Sequence, residues 1–215
     1  MIHWRGIEVF ETLEELVDPK HTALLLWDFA KGVVSNAFNY ETMIRNAAKL
    51  VQAAREHHVV TFYSQQNNMR IMGDTGAATI RMRMKQWGLK DLSDYRPPSS
   101  GTRGSPGWEI DAEVKPQEGD ILFEKFIPNA FLGTCFEWWL RKHAIKTIVL
   151  TGVNVATGIN GTALQATNLG YYAVVTRDCV GGRKEDYATA MPLLERLFDV
   201  VDASEIIAAW NKRKK

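Results

Sequence analysis

Along the chain, short apolar runs alternate with longer segments whose apolar residues recur every three to four positions. The run TALLLWD, Thr22 to Asp28, is apolar until its last residue, as a strand buried on both faces and ending at a polar rim would be. The segment YETMIRNAAKLVQAAREHH places Met43, Ile44, Ala47, Leu50, Val51 and Ala54 on one helical face. VVTFYS (Val59 to Ser64), DILFEK, KTIVLTG, YYAVVTRD and DVV read as further strands. AATIRMRMKQWG, CFEWWLRKHAI, TGINGTALQATNLG, EDYATAMPLLERLFD and SEIIAAWNKRKK read as helices, with Gly170 as a left-handed cap. Strands alternating with helices predict an α/β fold, a Rossmann-like, mostly parallel sheet with helices on both faces.

At 215 residues the chain fits one domain, 1–215, with 1–20 as an N-terminal extension. From Gln65 to Gly119 the strand–helix rhythm breaks, and RPPSSGTRGSPGWEI is marked as loop by its Pro and Gly. An excursion this long, 65–119, predicts a wall or lid over a site. A hydrophobic fraction of 46 % and a formal net charge of +1 create no field that favours nucleic acid or a membrane surface. The basic end NKRKK suits the negative end of a helix. Two cysteines, Cys135 and Cys179, make no disulfide framework, no run approaches the ~20 apolar residues of a membrane span, and no signal peptide is visible. These features predict a cytoplasmic protein.

In open parallel sheets, ligands bind beyond the carboxyl ends of the strands. That directs attention to Asp28, Gln65, Lys125, the turn after Gly152, and Asp178. Alone, Asp28 reads as a turn carboxylate and Lys125 as a surface lysine whose stem packs on aromatics. At adjacent strand ends they would form a partly buried pair that perturbs both pKa values and suits proton transfer. In LTGVNVATGINGTALQATNLGYYAVV, Gly158 stands where a nucleophile is sought, and it has no side chain to offer. Trp27, Phe29, Trp108 and Phe131 each suit the core, yet some of them should line a cleft for an apolar or cyclic small molecule. The five histidines have no ligand spacing, and the glycine runs match neither a phosphate loop nor a dinucleotide fingerprint.

TALLLWDFAKGVV, FEKFIPNAFLGT and LTGVNVATGINGTALQATNLGYYAVVTRDCVGG resemble, in order, three segments of the isochorismatase-like hydrolases, the cysteine hydrolase superfamily. The resemblance runs from about Thr22 to the last helix. It implies a three-layer sandwich whose six-stranded sheet has the order 3-2-1-4-5-6, with an Asp, a Lys and a Cys at three strand ends. Those positions fall on Asp28, Lys125 and Gly158, and the usual Thr falls on Val155. A cis Val153–Asn154 peptide and an oxyanion hole from the Asn154 and Gly158 amides are also implied. Cysteine-bearing members attack an amide carbon, which glycine excludes at this position. The isochorismatase branch has glycine there too, and its Asp protonates the substrate before water adds. The usual Met-Gln after that Asp is FAKGVV here, so isochorismate itself is not the expected substrate.

Thr157 is expected to point away along the turn, and Cys179 to be a buried structural thiol. Metal-binding relatives use Asp and His after the second strand, whereas SQQNNMRIMGD has no histidine, so neither metal nor cofactor is expected. The expected partners are a small-molecule substrate and, by the resemblance, copies of the chain in a homodimer or homotetramer. Trp138 and Trp139 are interface candidates. Nucleic acid and membrane are not expected partners. The alternatives are a silent relative that only binds a ligand, an amidohydrolase using activated water, and a chain whose cysteine had been replaced.

Overall fold

Thr22–Trp27 (β3) is wholly buried because it forms the middle of a six-stranded parallel sheet, and its side chains alternate between two cores. The computed structural model describes residues 1–67, 76–96 and 102–212. Parts of the SQQNNMRIMGD and RPPSSGTRGSPGWEI stretches, and the tail 213–215, lie outside the described residues. Preceding the sheet are β1 (Ile2–Trp4) and β2 (Ile7–Val9), an antiparallel pair, and a short helix α1 (Leu13–Leu16) closed by a Thr12–Glu15 capping box. After β3 come α2 (Lys31–Val34), α3 (Tyr40–Glu56), β4 (Val60–Gln66), α4 (Ala77–Trp87) and β5 (Ile121–Lys125). The second half runs α5 (Phe136–Lys142), β6 (Thr147–Val153), α6 (Asn160–Asn168), β7 (Tyr172–Gly181), α7 (Lys184–Leu197), β8 (Asp199–Val201) and α8 (Ala203–Lys212).

The sheet order is β5-β4-β3-β6-β7-β8, which by rank within the sheet is the expected 3-2-1-4-5-6. Leu24 and Leu26 of β3 join a core with Met43, Leu50 and Val51 of α3 and Ile206 and Trp210 of α8. Ala23, Leu25 and Trp27 join the other, with Phe136 and Leu140 of α5, Ala163 and Ala166 of α6, and Leu194 of α7. Each large apolar side chain so buried stabilises the fold by about 1.5–3 kcal/mol. The strand order reverses between β3 and β6, so their carboxyl ends open a crevice there.

Two elements differ from the sequence reading. The expected helix TGINGTALQATNLG starts as a wide turn, Val155–Ile159, with a π-type bond from Ile159 N–H to Asn154 C=O at 3.2 Å, before α6 proper. Gly170 does follow α6 in the left-handed region. The fifth strand of the sheet, β7, runs on to Gly181, so Asp178 lies inside it rather than at its end. The cause is a register break: Leu150 pairs with Val175, but Gly152 already pairs with Val180. Asp178 accepts hydrogen bonds from Asn46 Nδ2 and Ala203 N–H, both at 2.9 Å, and ties α3 to the start of α8.

Candidate active site

The site starts with the turn after β3. Asp28 has φ of 54°, a left-handed conformation that Asp tolerates better than most residues, and its N–H donates to Ser64 C=O at 3.1 Å. Its Oδ1 accepts from Gln66 N–H at 3.1 Å and its Oδ2 from Lys125 Nζ at 2.8 Å. Lys125 closes β5, two strands away, with only 1 % of its side chain exposed. Gln66 and Lys125 are register partners, which brings Gln66 Oε1 to 3.1 Å from Lys125 Nζ. The ammonium also lies 4.0 Å from the Trp27 ring centre, in cation–π distance. Burial pushes the Asp28 carboxyl above its usual range against the pull of Lys125, and burial pushes Lys125 below its own. Both shifts favour a shared proton over two full charges.

The second wall comes from β6 and the wide turn. Gly152 pairs with Trp27 at φ of 112°, and a Cβ there would fall 1.9 Å from the Trp27 carbonyl oxygen, so only glycine fits. The Val153–Asn154 peptide is cis. Gly158 then packs directly on the Trp27 side chain: a Cβ at 158 would sit 2.2 Å from the indole Nε1 and 2.4 Å from Cε2.

Between these walls lies a cavity of about 310 Å³. Trp27, Asp28, Gln66, Lys125, Asn154 and Gly158 line its floor, and Thr157 lines it as well. The helix α4 supplies Thr79, Met82, Arg83, Gln86 and Trp87, spaced as one helical face. From the start of α7, Arg183 lines the cavity and donates to Gln86 C=O at 2.8 Å. Arg83 donates to Tyr95 Oη at 3.0 Å, and neither guanidinium has an ion-pair partner among the described residues. The arrangement can bind a small molecule, hold a proton on a buried carboxyl group, and surround the reacting atoms with donors.

An isochorismatase domain model matches residues 22–205. The chain belongs to the isochorismatase family. It is 31 % identical over 183 residues to maleamate amidohydrolase of Pseudomonas putida, a match covering 83 % of this chain and 78 % of that enzyme. It is 29 % identical over 144 residues to N-carbamoylsarcosine amidase of an Arthrobacter species, covering 66 % of this chain and about half, 51 %, of that enzyme. A cysteine hydrolase structure from Pseudomonas syringae pv. phaseolicola has a TM-score of 0.76 at 19 % identity, covering 90 % of this chain and 94 % of that one. That likeness concerns the fold.

Within this isochorismatase-family site, the structure brings together Asp28, Lys125, Gly158, Asn154 and Trp27. It does not bring the other candidates to the cavity. Phe29 faces the α3 side of the core, because the left-handed Asp28 turns the chain there. Gln65 and Trp108 line a separate depression, with Gln65 Nε2 donating to Trp108 C=O at 2.7 Å. Phe131 packs edge-to-face against Phe136 in the opposite core. Cys179 is fully buried, and its thiol is pushed well up by burial and Asp178. Among the described residues, no three His, Cys, Asp or Glu side chains gather as metal ligands would.

The sequence reading missed Gln66, Arg83 and Arg183. Gln66 is one residue past Gln65, and side chains alternate along a strand, so a one-residue error in the strand end changes the face. The spacing 79, 82, 83, 86, 87 was the available signal for the α4 wall.

Proposed function

We propose that this isochorismatase-family chain hydrolyses a small molecule by proton transfer through Asp28, without a covalent thiol intermediate. The observation that carries the reading is the buried Asp28–Lys125 pair, 2.8 Å apart, on the floor of a cavity whose position 158 is glycine. Protonated Asp28 gives its proton to the vinyl carbon of the substrate, and water adds to the oxocarbenium so formed and returns a proton to the carboxylate. The hemiketal then breaks its C–O bond as its hydroxyl proton passes to the leaving oxygen. Lys125 holds the carboxylate while it is charged, and the Asn154 and Gly158 amides face the oxygen on which charge collects. Arg83 and Arg183 support a substrate with an anionic group, since two guanidiniums that have no ion-pair partner among the described residues favour a carboxylate.

A second reading is favoured by the relatives named as amidases and amidohydrolases: attack on an amide by water. Ionised Asp28 then takes the water's proton, hydroxide oxygen bonds to the carbonyl carbon, and the proton passes to the leaving nitrogen. Both readings need Asp28 and neither needs a thiol. The resemblance to the family also supports a homodimer or homotetramer, with Trp138, 60 % exposed on α5, as an interface candidate.

The test is a panel of carboxylate-bearing vinyl ethers, amides, imides and esters. On the substrate that is turned over, Asp28→Asn removes at least roughly 10²-fold of the rate, and iodoacetamide leaves the wild type active. Loss of activity on alkylation, or a fully active Asp28→Asn, refutes the proposal. No turnover across the panel, with a panel member raising Tm, selects the ligand-binding alternative instead.

A further inference from the structure

We infer that Trp27 is the specificity-determining residue of this site, because its indole stands in the space a nucleophilic side chain at 158 would occupy. Three observations carry this. A Cβ built at 158 meets Nε1, Cε2 and Cζ2 of Trp27 at 2.2, 2.4 and 2.7 Å, all closer than real side chains approach. The indole is 1 % exposed and is braced on another side by Lys125 Nζ, 4.0 Å from the ring centre, so relieving the contact would require the ring to give up that packing and move toward the cavity. The indole and Gly158 nevertheless both line the cavity, so this contact is part of the floor on which a substrate rests. The glycine is therefore not a position that has merely lost its reactive atom. It is one half of a fitted pair whose other half lies 131 residues earlier in the chain.

The consequence is chemical. With the indole in place, a substrate's reacting carbon cannot lie over residue 158. It lies against the ring edge, beside the Asp28 carboxyl, which selects proton transfer over covalent attack. Lys125 and Asp28 remain where they would flank a thiol, so the covalent version of the site is masked by Trp27. The inference deepens the proposed function and rests on the same cavity, but it is tested without a substrate.

The experiment compares Gly158→Cys, Trp27→Val and the double variant by thermal unfolding and by iodoacetamide labelling, with peptide mass analysis separating residue 158 from Cys135 and Cys179. Gly158→Cys alone overfills the contact and should lower Tm by about 5 °C or more. In the double variant the new thiol has the space left by the indole. That variant should be more stable than the two single shifts predict together, and its residue 158 should label at least roughly tenfold faster than in Gly158→Cys alone. A Gly158→Cys protein with parental Tm and labelling as fast as in the double variant overturns the inference. Should Gly158→Cys fail to fold, the same cycle with Gly158→Ala reads the same coupling, and strict additivity there is the refuting result. Failure of this test leaves turnover by Asp28 untouched, and failure of the Asp28→Asn test leaves the contact between 27 and 158 untouched.

Discussion

Replacing Lys125 by methionine keeps an unbranched stem against the Trp27 ring and removes the charge that faces Asp28 at 2.8 Å. At that distance two unit charges attract by about 6 kcal/mol with an effective dielectric near 20. Much of this is offset by the several kcal/mol needed to bury each ion, so the net stability from the pair is small. Breaking it is another matter, because Asp28 is left in the same buried place with no cation. The carboxyl then stays neutral, and holding an acid of unfolded pKa near 3.9 in its protonated form at pH 7 costs about 4 kcal/mol, at 1.36 kcal/mol per pH unit.

The sign of the pH dependence follows from where protons sit. Asp28 is raised in the native state, so its contribution is fully present below about pH 3.9 and lost as pH rises. Lys125 is lowered, so its contribution is present above about pH 10.4 and lost as pH falls through the native value. Between these limits the wild-type pair holds one proton folded or unfolded, and it contributes no slope near neutrality. In Lys125→Met, native Asp28 binds a proton that the unfolded chain does not. The variant should lose about 4 kcal/mol at pH 7 and only about 1.5 kcal/mol at pH 5. Urea unfolding at pH 5, 6 and 7 measures this, and an Asp28→Asn/Lys125→Met double variant should show no such slope. Equal losses at pH 5 and pH 7, or a loss under about 1 kcal/mol at pH 7, refute the reasoning.

Three further outcomes are expected. Gly152→Ala should cost more than about 3 kcal/mol or abolish folding, because its Cβ meets the Trp27 carbonyl at 1.9 Å, while Gly170→Ala, with nothing within 4 Å, should cost about 1 kcal/mol; urea midpoints separate them. Arg55→Ala should cost about 2 kcal/mol by the same assay, since Arg55 Nη2 bonds Asp120 Oδ2, Lys115 C=O and Tyr63 Oη and so clamps α3 to the segment entering β5. Arg83→Gln and Arg183→Gln should each raise KM for an anionic substrate about tenfold with little change in kcat, and leave KM for its uncharged amide or ester unchanged.

The strands were legible because an all-apolar run bounded by polar residues has few other uses in a chain of this size, whereas their order came with the family resemblance alone. The pairing of Asp28 with Lys125 was legible because both close strands on one rim, but the strand ends are not adjacent as expected: β4 lies between β3 and β5, and the long lysine stem reaches across it. What failed were single-residue matters. The sequence points to Gln65 whereas Gln66 faces the cavity, since the strand runs two residues past Ser64 and each step reverses the face. The sequence marks Asp178 as a strand end because nothing local announces the register break that pairs Gly152 with Val180. Adjacency in sequence sets Phe29 beside Asp28 at the rim, but a left-handed residue redirects whatever follows it.

The contact between Trp27 and Gly158 lay further out of reach. In the sequence each residue has its own sufficient account, a large apolar residue finishing a buried strand and a small residue opening a helix turn. Neither account mentions the other. The two meet because β3 and β6 are adjacent in the sheet, Trp27 falls on the same face as Ala23 and Leu25, and the wide turn carries Gly158 back over that face. Size complementarity across such a contact leaves no trace in local periodicity, since it constrains the sum of two volumes and not either one. A tryptophan at 27 requires the glycine, and any side chain at 158 requires a smaller residue at 27. The absent thiol and the bulky neighbour of the acid are therefore one feature of this site, and a variant that alters either should be read together with the other.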